Sequence, residues 1–83
     1  MATKISVVDI LEAKYIQCIE IYGKEPVKIY MNEDMLFLLY KEIISQIAGI
    51  RLVWEEVKKD GMKYRGINIS ITESLSLYEV IVL

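Results

Sequence analysis

The sequence contains no histidine, one proline and a single cysteine among 83 residues. Without histidine the chain lacks the side chain that most often moves protons near neutral pH. Because Cys18 is alone, no internal disulfide can form, and the usual ligands of zinc are missing. We therefore predict no metal site, and we interpret Cys18 as a small core residue.

Glycine is scarce as well, and its positions exclude a second class of site. Four glycines are too widely spaced to form a dinucleotide-binding or phosphate-binding loop: Gly23, Gly49, Gly61 and Gly66. The serines have no histidine to activate them as nucleophiles. We therefore predict no cofactor, no catalytic residue and no enzymatic activity.

Long hydrophobic runs are also absent. The longest apolar stretch, Met35 to Tyr40, is far shorter than the roughly 18 residues that a membrane span requires. The first residues show no secretory cleavage pattern, since Asp9 and Glu12 interrupt the apolar positions there. We expect one intracellular, cytoplasmic domain over residues 1–83 that does not enter a membrane.

Hydrophobic residues nevertheless make up 54% of the chain. A domain of this size cannot bury them all, so some must lie on the surface. Such a surface favours a homo-oligomer, with a dimer preferred, or a protein partner. Within the second predicted helix, Met35, Phe37 and Leu38 lie off the main apolar face and form a candidate interaction surface. The abundance of Ile, Tyr, Glu and Lys hints at a thermophilic source.

Charge is distributed unevenly along the chain. The net charge is −2, but the segment from Lys58 to Arg65 contains four basic residues and one acidic residue, and therefore carries +3. This pattern is typical of a solvated hairpin tip. The alternative is a nucleic-acid-associated regulator, whose candidate contacts are Lys58, Lys59, Lys63, Tyr64 and Arg65.

Two amphipathic helices are predicted. Ser6 and Asp9 resemble a capping box for the first, and Gly23 is a candidate C-cap. Its apolar face comprises Val7, Leu11, Tyr15, Cys18, Ile19 and Tyr22. A hairpin around residues 23–26 is the competing interpretation.

A strand over residues 27–31 follows, and Asn32 is expected to cap the second helix. That helix should end after Ala48, at Gly49. Its apolar face comprises Leu36, Leu39, Tyr40, Ile43, Ile44 and Ile47.

Residues 50–60 fit either a helix ending at Gly61 or a hairpin turning at Asp60 and Gly61. We favour the hairpin, because it pairs Val57 with Tyr64 and Trp54 with Ile67. Residues 67–71 alternate as a strand with one wet face, while residues 78–83 are apolar on both faces. We expect this last strand to be inserted in the sheet or to pair across a dimer. The predicted fold is α+β, in the order α-β-α-β-β-β, with two helices on one face of a three- or four-stranded sheet.

From Pro26 onward, the segments PVKIYMNEDMLFLLYKEI and YRGINISITESLSLYEVIVL suggest a family. Residues 26–83 resemble part of the major capsid proteins of tailed phages and of encapsulins, in which a strand, a capped helix, a glycine-led strand and a final strand follow one another. The resemblance implies a small protein of viral or mobile-element type. It transfers no functional residues. Together these observations predict a small interaction or assembly protein that associates with itself.

Overall fold

A computed structural model of the chain describes residues 6–46, 49 and 51–83. These residues form three helices and a four-stranded sheet. In chain order the elements are α1 (Val7–Tyr22), β1 (Ile29–Met31), α2 (Glu33–Gln46), α3 (Trp54–Asp60), β2 (Met62–Tyr64), β3 (Ile67–Ile71) and β4 (Ile81–Val82). The α+β fold class is confirmed, but α3 is a helix that the predicted order lacked.

Helix α1 begins and ends at the predicted residues. The Ser6 hydroxyl accepts a hydrogen bond from the Asp9 amide at 3.2 Å, and Gly23 closes the helix in a left-handed conformation, at φ 69°. Val7, Leu11 and Cys18 are buried, as the apolar pattern predicted. Ile19 and Tyr22 were wrongly assigned to the buried face, since both are exposed and Tyr22 lines open grooves beside β4 instead of the core.

Helix α2 begins at the predicted cap. The Asn32 carboxamide oxygen accepts from the Met35 amide at 2.7 Å, and its amide nitrogen donates to the Leu75 carbonyl at 3.1 Å. Leu36 and Leu39 are buried, but Ile44 is exposed. The predicted end of the helix, with Ile47 and Ala48, lies outside the described residues.

The hairpin predicted at Asp60 and Gly61 is wrong, because Trp54–Asp60 forms a helix. Acidic residues occupy its first turn and lysines its last turn, as the helix dipole favours. The Gly61 amide donates to the Val57 carbonyl at 2.8 Å, and Val57 is the buried residue of α3.

The chain instead reverses five residues further along, at Arg65 and Gly66. Arg65 and Gly66 both have positive φ, at 51° and 79°, which is typical of the two-residue turn that suits the twist of a β-hairpin. Tyr64 then pairs with Ile67, and Met62 with Ile69. The observed turn lacks the Asp-Gly dipeptide on which the prediction was based.

The sheet is mixed, in the order β2-β3-β1-β4. β1 pairs parallel with β3 and antiparallel with β4, which aligns Ile29 with both Ile69 and Val82. In β3, Ile67 and Ile69 are buried while Asn68 and Ser70 are exposed, as the alternation predicted, but Ile71 at the end of the strand is exposed. The buried sheet residues join apolar residues of the three helices in one core.

The final strand differs from the prediction. It lies in the sheet, but at its edge, and its exposed Ile81 shows that it is not covered on both faces. The expected strand over residues 27–31 is also shorter, since β1 starts at Ile29. Val27 before it is exposed, although its amide donates to the Leu83 carbonyl at 2.6 Å. None of the helices described is both long and apolar enough to cross a bilayer.

Candidate interaction surface

The free edge of β4 presents unpaired backbone groups at one end of the sheet. Lys28 and Leu83 exchange both of their backbone hydrogen bonds, at 3.1 and 2.9 Å. In an antiparallel pair the hydrogen-bonding direction alternates from one residue to the next. Ile81 therefore also directs its amide and carbonyl toward β1, whereas Val80 and Val82 direct theirs away from the sheet. Among the described residues, no strand pairs with this outer edge.

Exposed apolar side chains surround this edge. Five of them, which we call the β4 patch, are between 41% and 76% exposed: Ile21, Tyr22, Val27, Ile81 and Leu83. They come from the last turn of α1, the segment before β1, and β4 with the residue after it. Three distant parts of the chain therefore converge on one apolar surface.

Two shallow grooves make the β4 patch continuous. One, of about 270 Å³, lies between α1 and β4 and is lined by Ile21 and Ile81. The other, of about 370 Å³, is lined by Val27 and Leu83. The grooves share Cys18 and Tyr22, so they are adjacent.

The rim of the β4 patch carries charges of both signs. Lys14 borders one groove, and Lys24 and Glu25 border the other. The Glu25 carboxylate accepts a hydrogen bond from the Tyr15 hydroxyl at 2.8 Å. This bond raises the pKa of Tyr15. A mixed rim around an apolar centre is the usual anatomy of a protein interface.

The sequence did not identify this surface. Ile21 and Val27 look unremarkable in the sequence, and their exposure depends on where the sheet ends. One signal was available: Ile21 lies at the margin of the helical stripe that contains Leu11 and Cys18, about 60° from Cys18.

The surface predicted from Met35, Phe37 and Leu38 is only partly present. Met35 is 0% exposed and belongs to the core, because the packing of α2 against the rest of the fold turns this position inward. Leu38 is half-buried and packs against the core, while Phe37 is partly exposed. Met35 therefore cannot contribute to a contact surface.

Phe37 instead belongs to an aromatic cluster between α2 and α3. Its ring lies edge-on to Trp54, with 4.9 Å between centroids, and the Tyr40 ring is 5.5 Å from Trp54. The Tyr40 hydroxyl donates to the Leu52 carbonyl at 3.0 Å. This bond fixes the segment before α3, so the cluster mainly holds the two helices together.

The basic segment from Lys58 to Arg65 is divided between elements. Lys58 and Lys59 end α3, Lys63 and Tyr64 lie in β2, and Arg65 occupies the hairpin turn. Lys58 is 3.9 Å from Glu55 within the helix. The structure thus does not concentrate these residues on one element.

Two of these residues are bound to an acidic side chain. The Arg65 guanidinium forms a 2.7 Å ion pair with Glu12 and lies 4.7 Å from the centre of the Tyr15 ring. The Tyr64 hydroxyl donates to the other oxygen of Glu12. Glu12 thus competes with any phosphate for Arg65 and Tyr64, and nucleic-acid binding stays a prediction.

These contacts shift the pKa values of the groups involved. Hydrogen bonds from Tyr64 and then Arg65 stabilise the Glu12 carboxylate and lower its pKa. Burial, followed by the bond to Glu12, raises the pKa of Tyr64. A hydrogen bond that Arg65 donates to the Tyr64 hydroxyl, followed by its bond to Glu12, raises the pKa of Arg65 above its usual value. The arrangement ties α1 to the β2–β3 hairpin.

The described residues contain no group of three or more Asp, Glu or Cys side chains placed to hold a metal ion. Comparison with known proteins adds no assignment: no family model, curated protein or solved structure matches the chain. The resemblance of residues 26–83 to phage capsid proteins therefore stays a prediction.

Proposed function

We propose that this chain is a small, non-enzymatic interaction and assembly protein of the cell interior that associates with itself through the β4 patch. The observation that carries the proposal is the convergence of five exposed apolar side chains beside a strand edge with which none of the described strands pairs. The largest contiguous apolar patch on the surface of a soluble protein is often a functional contact.

The size of the β4 patch is compatible with a dimer interface. Its five side chains expose on the order of 500 Å² of apolar surface, which is within the range of functional patches on monomers. A standard protein interface buries about 800 Å² on each partner. The polar side chains at the rim, including Lys14, Gln17 and Lys24, supply the remainder.

A viral or mobile-element origin is part of the proposal and rests only on the resemblance of residues 26–83. Small assembly proteins of that kind need surfaces that join copies of one chain, and the β4 patch is a surface of this type. The dimer itself can be tested independently of the origin.

The decisive measurement is the molecular mass in solution, by light scattering coupled to gel filtration. We expect twice the 9.6 kDa mass of the chain at micromolar concentration. Replacing Ile21 by Lys removes buried apolar area from both partners and adds two charges, so dimerisation should weaken at least about tenfold.

Ile16→Lys is the matched control. Ile16 is also exposed and lies on the same helix, but five residues rotate it about 140° away from Ile21. Lysine has the same helix propensity at both positions. A monomer at all concentrations would reject the proposal, and equal weakening by the two substitutions would show that the β4 patch is not the contact.

A further inference from the structure

We propose that two copies of the chain join their β4 edges antiparallel, with Ile81 of each copy opposite Ile81 of the other. The two four-stranded sheets then form one eight-stranded sheet across a twofold axis. This inference rests on the proposed self-association and specifies which backbone groups carry it.

The backbone direction of β4 determines what the edge can bind. The double hydrogen bond between Lys28 and Leu83 directs odd-numbered residues of this strand toward β1. The amides and carbonyls of Val80 and Val82 are left for an external strand. An added antiparallel strand must therefore place opposite Val80 and Val82 two residues whose own amides and carbonyls point toward these valines.

A second β4 meets this requirement in one register. With Ile81 opposite Ile81 of the second copy, each Val80 faces a Val82 and the two valine pairs exchange four hydrogen bonds. A shift by two residues toward the amino terminus would place Val82 opposite Tyr78 of the other copy. The positive φ of Tyr78, at 69°, breaks the extended conformation on the amino-terminal side. The edge is therefore self-complementary.

The opposite edge of the sheet is less suited to the same contact. β2 carries the exposed Lys63 and begins three residues after Lys59, which follows Lys58 at the end of α3. Antiparallel pairing of two β2 strands would bring these like charges together, and lysine on an edge strand is a common protection against such pairing. Residues 80–83 have no charged side chain, and Ile21, Val27 and Leu83 provide apolar area beside the edge.

The register can be tested with cysteine cross-linking in a Cys18→Ala background. In the proposed dimer, Ile81 and its counterpart form a non-hydrogen-bonded pair whose Cα atoms are about 4.5 Å apart. This separation lies within the range that a disulfide can bridge. We expect Ile81→Cys, oxidised with diamide, to give a reducible dimer as the main species on a denaturing gel.

Leu83→Cys is the matched control, because its side chain is also exposed and uncharged. In the proposed register the two copies of residue 83 are offset by four residues, or about 14 Å along the strands. They should therefore not cross-link. Efficient linkage through position 83 instead of position 81 would overturn the register.

A measurement on the unmodified protein complements the cross-link. The amides of Val80 and Val82 have no strand partner among the described residues, but they donate hydrogen bonds in the proposed dimer. Their hydrogen exchange should slow as protein concentration rises. A protein that dimerises by mass but shows neither this protection nor the Ile81 cross-link would overturn this inference and leave the proposed self-association standing. A monomer would overturn both.

Discussion

Glu12 is the residue on which the polar contacts between α1 and the β2–β3 hairpin depend. Its two carboxylate oxygens accept from different side chains, Tyr64 and Arg65, and the Arg65 guanidinium also lies over the Tyr15 ring. An exposed ion pair alone contributes little to stability. The additional tyrosine bond and cation–π contact give this pair a defined geometry, which fixes the hairpin relative to the helix.

Replacing Tyr64 by Phe should raise the pKa of Glu12 toward its ordinary value, because the bond from Tyr64 is the largest cause of the lowered pKa. The lowered pKa means that the ionised carboxylate stabilises the folded state above pH 4.5, and that this contribution is lost as the pH falls through the folded-state pKa. Carboxyl NMR titration measures the shift directly.

Tyr30→Phe is the control for this titration, since Tyr30 lies in β1, away from the contacts of Glu12. It should leave the pKa of Glu12 unchanged. An unchanged Glu12 titration in Tyr64→Phe would show that the tyrosine bond does not form in solution. The wild-type and Tyr64→Phe proteins should also differ in acid unfolding, with the wild type losing more stability below pH 4.5.

Helices α1 and α2 are joined by a buried carboxylate rather than by apolar packing alone. Glu42 on α2 is 8% exposed, and its oxygens accept from the Val7 amide at 2.8 Å and from the Ser6 hydroxyl. The first amides of a helix have no partner within the helix. Glu42 supplies one from a neighbouring element, so it positions the start of α1 against α2.

Glu42→Gln should destabilise the fold by about 1 to 3 kcal/mol, because the carboxamide keeps one acceptor but turns an NH₂ group toward the remaining donors. Urea unfolding monitored by circular dichroism measures the change. Glu20→Gln, at an exposed position of α1, is the control and should have little effect. Equal stability of the two variants would mean that Glu42 does not cap α1.

The sequence predicted elements best where a local signal was sufficient. The caps at Ser6, Gly23 and Asn32 locate three helix ends because each depends on one side chain or one backbone conformation near it. The region around Asp60 and Gly61 failed because two local signals competed, and the burial of Val57 in the assembled core favoured the helix. The real turn uses Arg65 at positive φ, which residue preferences do not predict.

The candidate surface could not be predicted in the same way, because it depends on the order of strands. The apolar residues 80–83 suggested a covered central strand, but the parallel pairing of β1 with β3 leaves only the outer side of β1 for β4. Exposure of Val27 and Leu83 follows from that order. The expectation that Met35 lies at the surface failed for a related reason, since the rotation of α2 is set by packing.

At the scale of the whole molecule, the proposed dimer couples association to folding. Ligands or partners that bind only the folded state raise its stability by mass action, and a second copy of the chain acts in this way. An 83-residue domain buries a modest fraction of its surface, so this contribution matters more than it would in a larger protein. The melting temperature should therefore depend on protein concentration.

Where the dimer predominates, each tenfold increase in concentration should raise the melting temperature by about 3 to 5 °C, as expected for the unfolding entropy of a domain of this size. Differential scanning calorimetry over two decades of concentration measures the slope. Ile21→Lys should flatten it, whereas Ile16→Lys should preserve it, since only Ile21 lies in the β4 patch. A wild-type melting temperature that does not change with protein concentration would show that dimerisation does not stabilise the folded state. Apolar area buried between two copies stabilises only the folded dimer. If the β4 patch is the contact, a substitution that lowers the molecular mass in solution must therefore also flatten the dependence of melting temperature on concentration.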